Sequence, residues 1–441
     1  MLKHISRFAA AGSALGLFLG MSCLYSFGDR GVYEQILRYY GIVPFGSPFV
    51  DTSFLLANWE CARQGVDVVL SNPCDVLHRV FTHSPLWLSA SNVPLGVSDT
   101  TTVGWTLDLL FLLSLSLMPP PRRWLELTLI VAATLSTTVV FAVERANTDV
   151  VLFLLVLATG LFTECRLPIR LLGYSLGLVA GLLKYYPIIV LTVIFQERIS
   201  VFLLLVLMII GALAVFWFEY ESDILRGLPN IPTGPYNTDL ISARNLPFLL
   251  GEAIGDAAAS PPIGRVAAGG LYAMMVVACV TFCRKLLCFG ELRAVLAALA
   301  GLERVLLVIG SAVIVGCFFT AQSIGYRGMF LLMVLPGQLA ISRATAYQVR
   351  ALGLATSLVI VLLMWSECFR LALYDALEYL DLPSVIAVEI KMLFWFVREV
   401  CWWWVISVMM AVLADFLEAS PVIRGVSSRL ALSIAQVSDR D

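Results

Sequence analysis

The chain has 441 residues, 60% of them hydrophobic and 14% charged, with a mean hydropathy of +0.89 and a formal net charge of −2. Soluble domains carry about 25% charged residues, so the composition places this chain among polytopic membrane proteins. It offers no basic surface for nucleic acid, no phosphate-cradling glycine loop, no CxxC or HExxH, and only three histidines, His4, His78 and His83, which excludes a histidine-rich metal site.

The N-terminus has a basic start (Lys3, Arg7) and an apolar stretch to about Tyr25, in the manner of a signal peptide. No small-x-small cleavage site follows, and GMSC is a poor lipoprotein box, so an uncleaved first transmembrane helix is expected. Apolar runs then fall at roughly 8–27, 103–118, 124–142, 149–163, 171–183, 186–195, 199–218, 266–283, 304–321, 328–342, 351–371 and 399–417. A span takes about 20 apolar residues. The fold expected is an all-α bundle of about twelve transmembrane helices, a single domain over 1–441 with interfacial helices in its long loops. No internal repeat is visible.

Basic residues cluster at Lys3/Arg7, Arg122/Arg123, Arg166/Arg170, Arg198, Arg284/Lys285/Arg293/Arg304, Arg343/Arg350 and the C-terminal tail. The positive-inside rule puts all of them on one side only if the stretch 171–195 turns back at Lys184. Both termini are then cytoplasmic, in a plasma (inner) membrane. The long loops 28–102 and 219–265 face outward, together with Glu144-Arg145, Lys184 and Arg327. In the first loop, TSFLLANWECARQ (52–64) has helical apolar spacing and is expected to lie on the membrane surface. Cys61 and Cys74 share this loop and are placed to form a disulfide or to stay free; most of the ten cysteines lie in apolar runs as small hydrophobes.

Five outward elements carry unusual chemistry: VDTSF with Asp51; FTHSPLWL with His83; VERANTDVVLF with Glu144, Arg145, Asn147 and Asp149; LLKYYP with Lys184, Tyr185 and Tyr186; and the pair SARNLP and SIGYRGMFLL, with Arg244, Tyr326 and Arg327. Each has an ordinary reading. Asp51 serves equally as the N-cap of the helix that follows, Lys184 as a snorkelling end, Glu144 and Arg145 as a pair anchoring a helix end. Together, several cations on one membrane face suit an anionic lipid head group, because charge at a bilayer boundary is costly unless used or paired. Arginine grips phosphate in bidentate fashion, and a neighbouring acid takes the proton of an attacking hydroxyl.

The run FVDTSFLLANWECARQGVDVVLSNPCD followed by FTHSPLWL resembles the first outer loop of glycosyltransferase family 87, polyprenyl-phosphate-sugar-dependent enzymes of the C-type (GT-C) fold. VERANTDVVLFLLVLA is similar to that family's E-R-G-N-x-D helix start, with Ala146 in place of glycine. GYSLGLVAGLLKYYPIIVL is similar to its G-x-L-x-G segment ending K-x-Y-P, and ARNLP and GYRGMFLLMVLP to its later stretches; His83-Ser84-Pro85 departs from its Y-P-x-L-W. The likeness runs in order over roughly 47–340.

It implies a polyprenyl-phosphate–hexose donor, typically mannose, inversion at the sugar carbon, and a catalytic aspartate on the first outer loop, by position Asp51. The expected roles are then Asp51 as general base and Arg327, Lys184, Arg145 and Arg244 as donor-phosphate ligands. His83, Glu144, Asp149, Tyr185 and Tyr326 make further substrate contacts, and Glu144 orients Arg145. Asp149 is a second candidate base. Trp59, Trp87 and the tyrosine pair are candidates for sugar stacking. No metal or cofactor is required, since a lipid monophosphate leaves with cationic help. The partners expected are that donor, a glycan or glycolipid acceptor, and the bilayer, with no nucleic acid. The competing reading is a transporter or flippase of a lipid-linked or anionic solute, which would more often show inverted repeats and charges at mid-depth. A transferase using lipid diphosphate donors is the third.

Overall fold

The computed structural model describes residues 2–231, 233–236 and 238–425, with side chains from Arg7 onward; the C-terminal tail that entered the charge argument lies outside them. Among the described residues all regular secondary structure is helical, apart from a single isolated β-bridge between Ile241 and Ser323.

Eight helices among the described residues are long and apolar enough to cross a membrane: Arg7–Phe27, Val97–Leu117, Leu167–Lys184, Ile199–Asn230, Pro261–Leu287, Gly301–Thr320, Tyr347–Met364 and Ser384–Ala419. A ninth forms if Trp124–Thr134 and Thr137–Arg145, bent by 40°, make one span. The chain is a polytopic helical membrane protein. Three of the twelve apolar runs form shorter elements: Thr148–Thr163, the 3-10 helix Tyr186–Gln196, and Leu331–Ile341, in which every residue is buried. Apolarity alone does not separate a span from an inner element packed among other helices. The outer surface supplies the contrast: Leu203, Leu207, Met208, Val215 and Phe218 of Ile199–Gly227 are exposed, as lipid-facing side chains would be.

The centre of the bundle is Gly301–Thr320 against Leu331–Ile341. A β-carbon on Gly310 would lie 2.8 Å from Val334, and one on Gly337 would lie 2.6 Å from Leu307, so glycine allows this close approach. At a rise of 1.5 Å per residue, a 20-residue helix is about 30 Å long, and Gly301–Thr320 has that length. Glu303 at its start binds Arg122 and Arg343, at 3.2 and 2.7 Å. Its far end leads to Ser323, which accepts a hydrogen bond from Arg327 at 2.8 Å. The basic clusters at Arg122 and Arg343 therefore share one end of the bundle, and Arg327 sits at the other.

The reversal expected at Lys184 is present. Lys184 ends its helix, Tyr185 takes a left-handed φ of 58°, and the chain folds back so that Gly181 meets Ile188 and Gly177 meets Leu191. At the hairpin's open end, Glu197 accepts from Tyr174 at 2.7 Å and pairs with Arg170 at 2.6 Å. The first long loop is also structured: Arg30–Tyr39, Val50–Arg63 and the 3-10 helix Pro85–Asn92 fill it, and Cys61 and Cys74 are joined as a disulfide. The helix expected at 52–64 begins two residues early. Much of 219–265 is helix as well, through the end of Ile199–Gly227 and Asn245–Ala257.

Candidate active site

Asp51 does not cap its helix. The N-cap is Phe49, held left-handed at φ 64°, with its N–H on the carbonyl of Glu144 at 2.7 Å and its ring against Gly104, where a β-carbon would come within 2.5 Å. A left-handed non-glycine residue costs of order 1 kcal/mol and persists only where its surroundings hold it. The turn leaves Asp51 in the first helical turn, where the helix N-terminus favours an anion. One carboxylate oxygen accepts from Asn147 Nδ2 at 2.6 Å, the other from Arg79 Nη1 at 3.2 Å. The side chain is 21% exposed, so the carboxylate stays reachable.

Arg79 is itself fixed. Asp75, buried, takes its Nε at 2.9 Å and its Nη2 at 3.0 Å, and Nη2 also donates to the Val50 carbonyl at 2.8 Å. Asn72 holds the same strap by donating to the Arg79 carbonyl at 3.1 Å and to Asn58 Oδ1 at 3.2 Å.

Asn147 caps the helix Thr148–Thr163 by accepting the backbone N–H of Asp149 at 2.9 Å. That helix start aims Asp149, fully buried, at three partners: Lys184 Nζ at 2.8 Å, Tyr186 hydroxyl at 2.9 Å and Arg327 Nε at 3.3 Å. Lys184 also donates to Thr148 Oγ1 at 3.2 Å, and the Arg327 guanidinium lies 4.9 Å over the Tyr186 ring. Arg327 Nη2 makes no hydrogen bond among the described residues. Tyr326 interacts with Asn147 from the same turn and packs edge-on against Phe141. His83, between the rings of Phe54 and Phe81, closes the cluster. Burial pushes its pKa down to about 3, and Lys184, Arg327 and Arg79 push the same way against Asp149. The imidazole is neutral and faces an electropositive neighbourhood.

Asp51, Asp149, Lys184, Arg327, Tyr326 and His83 thus converge from five stretches of chain. The other expected residues stand apart. Arg145 is buried, paired with Glu144 at 3.0 Å, donating to the Val43 carbonyl at 2.7 Å and stacked 4.0 Å over Phe45; its partners fix it to the 40–49 segment rather than to Lys184 and Arg327. Arg244 is exposed, with no ion pair among the described residues. Tyr185 points to Phe216, and Tyr186 takes the place in the cluster expected of it. Asp149, considered as a base, is fully engaged by its three donors. Trp59 and Trp87 are buried and donate to backbone carbonyls, Trp59 to Trp87 at 2.7 Å and Trp87 to Leu183 at 3.1 Å, which ties the loop to the Lys184 helix end.

Sequence reasoning assigned no role to Arg79, Asp75 or Asn147. Asn147 carried a readable signal, an Asx residue immediately before an apolar helix. Arg79 carried none, because its placement depends on the strap closed by Cys61 and Cys74. The charges also divide. Asp149 answers two cations, which leaves one positive charge over; Asp51 and Asp75 share Arg79, which leaves one negative charge beside it. No family model matches this chain, and neither a curated protein nor a solved structure matches it.

Proposed function

We propose that this protein is an inverting glycosyltransferase that moves a hexose, mannose by family likeness, from a polyprenyl-phosphate donor to an acceptor hydroxyl of a glycan or glycolipid. The observation that carries the reading is the Asn147 bridge: one side chain joins Asp51, which carries the excess negative charge, to the helix start that gathers Lys184 and Arg327, which carry the excess positive charge. A buried unbalanced cation is costly, and the singly charged phosphodiester of the donor would balance it. Arg327 Nη2 and the remaining ammonium hydrogen of Lys184 are the donors free to do so.

In the proposed step the acceptor oxygen attacks the anomeric carbon from the face opposite the phosphate. The new carbon–oxygen bond forms as the bond to the phosphate oxygen breaks. The hydroxyl proton passes to Asp51, and the lipid phosphate leaves with its growing charge held by Arg327 and Lys184. Arg79 and Asn147 hold the base in line. Arg145 and Glu144 brace the 40–49 segment. On this reading the site faces the non-cytoplasmic side of the plasma membrane, both termini are cytoplasmic, loops 28–102 and 219–265 face outward, and the three short elements complete twelve crossings.

The test is incubation of purified protein, in vesicles, with radiolabelled polyprenyl-phosphate hexose and a membrane extract. Label appearing in a new product supports transfer. Label crossing the vesicle without a new bond would replace this reading with that of a flippase.

A further inference from the structure

On the first span, Ala14, Leu17, Phe18, Met21, Ser22 and Tyr25 recur every three or four residues and so share one face. All of them line one cavity of about 60 Å³. At a rise of 1.5 Å per residue they run about 16 Å along the helix. Opposite them stand Val139, Val140 and Val143 of Thr137–Arg145. The cavity has a plain cause. Arg7–Phe27 packs on Trp124–Thr134, and the 40° bend that follows carries Thr137–Arg145 away, so this second helix makes few contacts with the first span. Tyr33 and Leu37 of Arg30–Tyr39 cover the gap.

Water does not fill such a space. A water needs two to four polar partners as well as room, and cavities with apolar walls stay dry and take apolar guests. Here the walls are aliphatic and aromatic for most of their length. Thr134, at the inner end, spends its hydroxyl on the Val131 carbonyl at 2.9 Å. Left empty, the facing atoms forfeit dispersion contacts. A volume of about 60 Å³ drawn out over about 16 Å is a channel, which admits one hydrocarbon chain and not the two of a phospholipid.

The other end of the channel places the head of that chain. Phe49 and Glu144 line it, and both belong to a seam that stitches 49–52 to 144–147. The Phe49 N–H donates to the Glu144 carbonyl at 2.7 Å, Thr52 Oγ1 to the Ala146 carbonyl at 2.6 Å, and Asn147 to Asp51 at 2.6 Å. Glu144 feels the charge of Asp51. The same seam separates the channel from the cations: Phe49 and Glu144 face the channel, while Asn147 joins the helix start that holds Lys184 and Arg327. The donor's own chain, tied to a phosphate at those cations, would have to pass through the seam. Glu144 is the one charged side chain in the channel wall and opposes a phosphate head, and Arg145 is already taken by Glu144, the Val43 carbonyl and Phe45. Tyr33, 7% exposed, lines this end, and its hydroxyl makes no hydrogen bond among the described residues.

We infer that this channel holds the single hydrocarbon chain of a lipid-borne acceptor with an uncharged, hydroxyl-bearing head. Such a lipid brings its head to Asp51 from the side away from Lys184 and Arg327, the side from which an inverting attack must come. That the lipid is the acceptor rests on the transfer reading; that a single chain binds does not.

The test uses dodecyl β-glucoside with a diazirine in its chain, photolysed with the full protein in lipid nanodiscs, the labelled residues being read by mass spectrometry. Labelling is expected within 14–25 and 139–143. Excess unlabelled dodecyl glucoside should displace it, and phosphatidylglycerol and polyprenyl phosphate should not. Ala14→Phe and Val140→Phe, which fill the channel, should each cut labelling by about fivefold or more, because a packed site admits no further methylenes. Leu207→Phe, on the lipid-facing surface, should leave it unchanged. If either filled variant fails to unfold cooperatively, the other and the displacement series give the same comparison. Labelling spread over the lipid-facing surface, displacement by phosphatidylglycerol or polyprenyl phosphate, or unchanged labelling in a folded filled variant overturns the inference. In the radiolabel assay with membrane extract the filled variants should lose the product, and full product from them would overturn the acceptor assignment. Channel-specific labelling with no product from wild type would overturn the transfer reading and leave the chain site standing.

Discussion

Asn147 donates to Asp51 at 2.6 Å with one end of its amide and accepts the N–H of Asp149 at 2.9 Å with the other. A single residue therefore caps a helix and orients the candidate base. The two jobs need different chemistry. A cap needs only a short side-chain oxygen, whereas Asp51 needs a donor at amide reach. Asn147→Ser is expected to keep the cap, with stability within about 0.5 kcal/mol of wild type, and to lower transfer at least tenfold. Asn147→Ala should lose about 1 kcal/mol as well. Thermal unfolding in detergent and label transfer, measured on the same preparations, separate the two effects.

Removal of Asp149 leaves two cations facing each other without their carboxylate. Asp149→Asn is expected to destabilise the fold by about 3–5 kcal/mol, as breaking a buried pair does. The double variant Asp149→Asn/Lys184→Met, which removes one charge of each sign, should recover part of that loss. Denaturation midpoints of the three proteins check this, and a double variant no more stable than Asp149→Asn would contradict the pairing.

The strap 64–84 carries Arg79 to Asp51, and the Cys61–Cys74 bond closes a loop of 13-residue separation. Closure of a loop near 15 residues contributes about 3 kcal/mol by restricting the unfolded chain. Cys61→Ser/Cys74→Ser is expected to lose about that much and to release Arg79 from Asp51. Limited trypsin digestion should then cut at Arg79, which the intact protein protects.

His83 sets a pH dependence of known sign. Its folded pKa is depressed to about 3, against about 6.5 unfolded. Between those values the unfolded chain holds the extra proton, so stability rises with pH across the window and falls as pH drops below about 6.5. The slope is at most about 1.4 kcal/mol per pH unit, and partial exposure of the ring reduces it. His83→Asn should flatten unfolding midpoints between pH 5 and 6.5, and an unchanged slope would show that another group titrates there.

The charges now clustered were visible in the sequence because each stood alone at the edge of an apolar run, where a charge is costly: Asp51, Asp149, Lys184 and Arg327. The reversal at Lys184 followed from the same cost. Arg145 looked identical to Lys184 by that measure, yet its neighbour Glu144 satisfies it locally, and only the fold distinguishes a locally paired cation from a shared one. Arg79 sat in a polar loop where arginine is unremarkable. Thr137, Asp239, Glu367 and Trp402 line one small cavity although they span 265 residues of chain, and no local pattern encodes such a meeting. The number of spans is hard to read for a related reason: Leu331–Ile341 is as apolar as a span, yet every one of its residues is buried among the other helices.

The most direct measurement compares wild type with Asp51→Asn for transfer of label from radiolabelled polyprenyl-phosphate hexose, both purified in the same lipid. Transfer by wild type, loss of at least a hundredfold in the variant, and equal donor-lipid binding by both are predicted. An Asp51→Asn protein that transfers label at the wild-type rate would contradict the account.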